Sequence, residues 1–112
     1  MTLIYAYQDR NCTRDIVIRD ADGDPITPGI DDRLRVSIGR AGQTPLLTVV
    51  DNAPTANGST LTKGATNRLR LDDKDLAAMD AGTYTLFIEL LDTADASDWK
   101  NVDRQVFVLE RT

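Results

Sequence analysis

Apolar and polar residues alternate with a period of two along much of this chain, the spacing of a half-buried β-strand. The clearest run is Arg33-Leu34-Arg35-Val36-Ser37-Ile38-Gly39, with Leu34, Val36 and Ile38 inward and Arg33, Arg35 and Ser37 outward. Asn67 to Leu71 repeats the pattern with Leu69 and Leu71, and Thr13 to Arg19 does so with Ile16 and Ile18. The longest run, Gly82 to Asp92, places Tyr84, Leu86, Ile88 and Leu90 on a core face and Thr83, Thr85, Phe87, Glu89 and Leu91 on a mixed one. Three further runs are apolar on both faces. In Thr2 to Tyr7, Leu3, Tyr5 and Tyr7 oppose Ile4 and Ala6; in Pro45 to Val50, Leu46 and Val50 oppose Leu47 and Val49. In Val102 to Leu109, Val106 and Val108 are taken as the inward pair, opposite Gln105, Phe107 and Leu109.

Turn chemistry separates these runs. Asp20-Ala21-Asp22-Gly23-Asp24-Pro25 ends the second strand, because glycine supplies positive φ and proline removes a ladder donor. Residues 51–63, rich in small polar side chains with Pro54 and Asn57-Gly58, read as a long loop holding a short strand at Ser59 to Thr62. Asp72 caps a short helix through Met79, with Asp73 and Asp75 favourable near its N-terminal dipole. Short strands, turns at regular intervals and no βαβ alternation predict an all-β, immunoglobulin-like antiparallel sandwich of about seven or eight strands, with one short helix near 73–79. Tyr84, two residues before Leu86, stands where such folds place a corner tyrosine two residues before a core cysteine. The expected core is Ile16, Ile18, Leu34, Val36, Ile38, Leu69, Leu71, Leu76, Tyr84, Leu86, Ile88, Leu90, Val106 and Val108, in one domain over residues 1–112.

Composition narrows the functional classes. A net charge of −5 disfavours non-specific binding to nucleic acid or anionic membranes, and the lack of histidine removes the usual neutral-pH acid/base and the commonest metal ligand. The single cysteine, Cys12, forbids an intrachain disulfide. The first ten residues lack the basic and apolar regions of a signal peptide, and no apolar run approaches the ~20 residues of a membrane span. Synthesis and folding in a cytoplasm are expected, with export inside a particle still open. No nucleophile elbow, phosphate loop, dinucleotide fingerprint or CxxC pair is present. The chain is expected to be no enzyme, with no cofactor and no small-molecule substrate.

Each candidate site has a structural counterpart. Asp20, Asp22 and Asp24 alternate like the opening ligands of a calcium loop, yet Pro25 and Asp31 stand where that loop needs glycine and a bidentate glutamate, so a hairpin turn is favoured. Asp31-Asp32 and Asp72-Asp73 are sequence neighbours, not carboxylates facing across a cleft. Arg33, Arg35, Arg68 and Arg70 form a basic patch if their strands are adjacent, and otherwise a solvated surface. Ile4, Leu47, Val49, Phe87, Leu91, Phe107 and Leu109 make an apolar surplus on second faces, either a protein interface or additional core. Phe87, Leu91, Phe107 and Leu109 are the interface candidates, joined by Trp99, which is either a contact hot spot or a plug at one end of the fold.

Ile16-Val17-Ile18-Arg19-Asp20-Ala21-Asp22-Gly23-Asp24-Pro25-Ile26, the alternating strand after it, and Leu76 through Asp80-Ala81-Gly82-Thr83-Tyr84 resemble the β-sandwich modules of tailed-phage virion proteins. The nearest likeness is the N-terminal domain of baseplate upper proteins, spanning about Ile16 to Leu91. Those proteins continue into a helical stalk and a receptor-binding or fibre region, whereas this sequence ends at Thr112. The resemblance therefore implies a connector, baseplate or head-decoration subunit of a phage or prophage virion, not a receptor-binding machine. It implies self-assembly as a homo-oligomer, commonly a trimer or ring, with other virion proteins as further partners. The alternative is an immunoglobulin-like adhesion or carbohydrate-binding module of a bacterial surface protein, against which the lack of an export signal and of clustered aromatics counts.

Overall fold

The computed structural model describes residues 3–19, 22–29, 31–91 and 99–111, and in these the alternating runs are strands. They are β1 (Leu3–Tyr7), β2 (Cys12–Ile16), β3 (Ile18–Arg19), β4 (Pro25–Ile26), β5 (Arg33–Gly39), β6 (Leu47–Val50), β7 (Thr60–Thr62) and β8 (Asn67–Leu71), then helix α1 (Asp73–Ala77), β9 (Gly82–Leu91) and β10 (Lys100–Glu110). The fold is all-β with one short helix, as expected. The described strands number ten, and they lie in three sheets. One sheet has the order β1-β10-β9-β5-β6, a second β2-β8-β7, and β3-β4 is a two-stranded hairpin. Every pairing is antiparallel except β1 with β10, which run parallel.

The larger sheets share one hydrophobic cluster. Leu34, Val36, Ile38, Leu86, Ile88 and Phe107 come from the five-stranded sheet, and Ile16, Leu69 and Leu71 from the three-stranded one. Leu76 joins them from α1. The helix begins where Asp72 accepts the Lys74 backbone N–H through Oδ1 at 3.0 Å, as its position implies. Gly23, at φ +85°, makes the reversal between β3 and β4 that glycine permits without strain. The second strand is broken at Val17, which is 42% exposed: β2 pairs with β8 while β3 pairs with β4, so the chain leaves one sheet for another.

The corner before β9 is built as the sequence suggests. Tyr84 is buried, and its hydroxyl donates to the Asp80 carbonyl at 2.6 Å, while the Arg40 guanidinium lies 4.8 Å from its ring centre. Tyr84→Phe leaves that carbonyl without its partner. A loss of about 1 kcal/mol is expected, read as a lower urea midpoint with unchanged m-value. An unchanged midpoint would show that the bond holds nothing.

The last strand turns the other way from the sequence reading. Phe107 pairs with Tyr84 and Gln105 with Leu86, and cross-strand partners share a face, so Phe107 and Leu109 point into the core while Val106 and Val108 are half-buried outside. A register irregularity between Asn101 and Asp103 resets the alternation just upstream. Strand β1 follows β10: Ile4 and Ala6, in register with Phe107 and Leu109, are buried, whereas Leu3, Tyr5 and Tyr7 are outward. Val49 is also core, and Leu47 packs against it from the same side of β6. Much of the supposed second-face surplus is therefore core, and a different set of apolar residues faces out.

Candidate functional site

The outer face of the five-stranded sheet is where exposed apolar and charged side chains meet. From β1 come Leu3 and Tyr5, each 48% exposed, and Tyr7. Strand β10 adds Arg104, Val106, Val108 and Glu110, and β9 adds Thr83, Thr85, Phe87, Glu89 and Leu91. Register places Leu3 beside Val106 and Thr85, and Tyr5 beside Val108 and Thr83. This makes an apolar patch across β1 and β10, flanked on β9 by two threonines. Its existence follows from the parity of β10, which is why the sequence pattern alone misplaced it.

Toward the far end of β9 the face becomes ionic. Arg35 grips Glu89 through two bonds, Nη2 to Oε2 at 2.6 Å and Nε to Oε1 at 3.2 Å, and Ser37 Oγ donates to the same carboxylate at 2.9 Å. Such a fork fixes both side chains better than a single contact does. Trp99 lies under Arg35, with the guanidinium carbon 4.4 Å from its ring centre, and Arg104 lies 5.7 Å from the Phe87 ring. Phe87 and Trp99 thus both belong to this face, and Leu91 reaches it in register with Arg33. Phe107 and Leu109 do not, being wholly buried on the core side.

The four arginines do not form one patch, because β5 and β8 lie in different sheets. Each instead pairs with a carboxylate: Arg33 with Asp51 at 3.0 Å, Arg35 with Glu89, Arg68 with Asp15 at 3.2 Å, and Arg70 with Asp72 at 3.4 Å. Asp51 is buried and also accepts the Leu34 N–H at 2.8 Å, so it fastens the loop after β6 to the start of β5. A cleft of about 510 Å³ opens beside it, lined by Arg33, Asn52, Leu61, Thr62 and Lys63. Lys63 donates to the carbonyls of Gly29 and Asp32 and sits 3.9 Å from Asp51. The charges lining the cleft are engaged in holding loops together.

A second polar cluster was not legible as such. Asp75 accepts from Ser59 Oγ at 2.5 Å, Thr55 Oγ1 at 2.6 Å and Asn57 Nδ2 at 2.9 Å. Burial raises its pKa, but these three donors outweigh that effect and hold its carboxyl below the ordinary range. Asp72 is also held low, first by the Lys74 backbone N–H. Ser59 Oγ in turn accepts the Asp72 N–H at 2.8 Å, so loop 55–59 is tied to the start of α1. Cys12 is buried, and desolvation pushes its thiol up despite the nearby Arg14, which makes it a poor nucleophile.

Asp20 lies outside the described residues, whereas Asp22 and Asp24 are exposed in the β3–β4 turn, where Arg19 Nη1 donates to the Gly23 carbonyl at 2.9 Å. Among the described residues no three of the metal-ligating types converge. Most of the loop from Thr93 to Trp99 is outside the described residues as well, Trp99 excepted. The chain matches no family model and no curated protein.

Proposed function

We propose that this chain is a non-enzymatic assembly subunit of a tailed-phage or prophage virion, an immunoglobulin-like sandwich that works through protein contacts. The observation that carries the contact role is the outer face of the five-stranded sheet, where Leu3, Tyr5 and Tyr7 stand exposed along β10, which carries half-buried Val106 and Val108, with half-buried Phe87 on the strand beyond, level with Arg104. Contiguous apolar surface rimmed by charge is what a protein interface requires. The immunoglobulin reading is supported by strand order: β10-β9-β5-β6 corresponds to G-F-C-C′ and β2-β8-β7 to B-E-D, with the Tyr84 corner opening strand F. Leucine at 86 takes the place of the disulfide cysteine, and apolar packing fills the core between the sheets. The virion setting rests on the likeness of Ile16 to Ile26 and Leu76 to Tyr84 to baseplate modules, and its partners are copies of itself and neighbouring virion proteins.

Mass spectrometry of gradient-purified particles from the phage or prophage that encodes the chain tests this setting. The chain is expected at a stoichiometry comparable to that of other structural subunits. Its absence from intact particles would overturn the virion reading.

A further inference from the structure

We infer that the outer face of the five-stranded sheet pairs with the same face of a second copy, in a twofold dimer that lays β10 antiparallel on β10. This rests on the reading of that face as an assembly surface and specifies its partner and geometry. The outward residues of β10 read Arg104, Val106, Val108, Glu110, with Gln105, Phe107 and Leu109 buried between them. That series is complementary to itself when reversed. A twofold axis lying between the two sheets and perpendicular to the strands, centred opposite Phe107, sets Val106 against Val108 of the second copy and Arg104 against its Glu110.

The neighbouring strands obey the same operation. Leu3 and Tyr5 are in register with Val106 and Val108, so Leu3 of one copy meets Tyr5 of the other, and Thr85 meets Thr83. The two most exposed apolar side chains of β1 then meet midway along the strands on the β1 edge of the contact, beside the central valines of β10, with one Arg104–Glu110 pair at each end. A twofold axis along the strands would instead set Arg104 against Arg104 and Glu110 against Glu110. Charge complementarity therefore selects the first arrangement.

Reach agrees with it, and scale places it among the smaller interfaces: with strands about 4.8 Å apart and a rise of about 3.3 Å per residue, β1, β10 and β9 overlap over roughly 14 by 23 Å, less than the ~800 Å² that each partner buries in a complex of standard size. Sheets packed face to face cross at about 30°, which displaces strand ends about 10 Å from the centre by about 5 Å, within the span of an arginine side chain. Among the described residues neither Arg104 nor Glu110 is in an ion pair within its own chain. Six positions apart on one extended strand, they are about 20 Å from each other and do not reach across.

Sedimentation equilibrium of the full chain, from low to high micromolar, is the test. The wild type is expected to be a dimer. Arg104→Glu and Glu110→Arg, each placing like charges at both ends of the contact, are expected to raise the dissociation constant about tenfold or more. The double variant Arg104→Glu/Glu110→Arg is expected to dimerise like the wild type, because the exchange regenerates both pairs. Val106→Lys should be monomeric with an unchanged circular dichroism spectrum, and Thr62→Lys, on the outer side of the three-stranded sheet, should remain dimeric. A wild-type monomer, a trimer or ring, or a double variant as weak as either single one would overturn the inference. A monomer that is nonetheless found in purified particles would remove this dimer and leave the virion reading standing; a dimer absent from particles would do the reverse.

Discussion

Phe107→Ala is expected to destabilise the protein by about 3–5 kcal/mol, while Val106→Ala one position earlier should cost about 1 kcal/mol or less. Phe107 has no exposed surface and pairs with Tyr84 on one side and Ile4 on the other, so truncation removes a ring from the junction of three strands and leaves a cavity. Val106 stands half-buried on the outer face, where alanine opens no hole in the core. Urea unfolding at protein concentrations low enough to keep the chain monomeric separates the two, provided the m-values agree. Equal losses at the two positions, or a larger one at Val106, would mean that the last strand has the opposite orientation, and with it the whole composition of the outer face would change.

That contrast marks where the sequence is informative and where it is ambiguous. Strands β5 and β8 carry leucine, valine or isoleucine strictly opposite charged or polar residues, so only one orientation buries the apolar set, and both segments are found as read. The Asp72 cap and the Tyr84 corner were legible for a similar reason: each is a local device whose residue type and spacing name the backbone group it binds. Strand β10 offers valines on one face and Phe107 and Leu109 on the other, so burial alone does not choose between them. Gln105 tilts the pattern toward the wrong choice, because it shares a face with Phe107 and is itself buried. Pairing settles the matter, since β10 lies between β1 and β9 and must match the parity of both, and pairing is a long-range property that a window of residues does not contain.

Asp75 was hidden by a different cause. In the sequence it is an acidic residue in the first turn of a short helix, for which the helix dipole is a sufficient explanation. Its three donors, Thr55, Asn57 and Ser59, come from a loop that reads only as polar and irregular. A hydroxyl or amide in a loop does not announce its acceptor. The outer sheet face combines both difficulties: Phe87 and Leu91 are visible as apolar residues on a mixed face, but the exposed Leu3 and Tyr5 join its apolar patch only once β1 is placed beside β10.

Asp75→Ala is expected to lower stability by roughly 3–4 kcal/mol at neutral pH, since it strips the acceptor from three side chains at once and hydrogen bonds to a charged group are each worth about 1.5–3 kcal/mol without adding in full. For a domain of this size that corresponds to a fall in melting temperature on the order of 15 °C. The conservative Asp75→Asn keeps the shape but sets an amide N–H₂ against donors, and serves to isolate the charge. Burial raises the Asp75 pKa, the three donors together lower it by more, and the net position is below the unfolded value. A carboxyl with a depressed folded pKa stabilises fully above its unfolded pKa of about 3.9 and loses that contribution as pH falls through the folded value. The stability gap between the wild type and Asp75→Asn is therefore expected to be constant near neutrality and to shrink below about pH 4. A gap that keeps its neutral value throughout acid unfolding would show that the loop is held by the shape of the side chain and not by its charge. In that case the tie between loop 55–59 and α1 would have to be assigned to the Ser59 hydroxyl, which also accepts the Asp72 N–H.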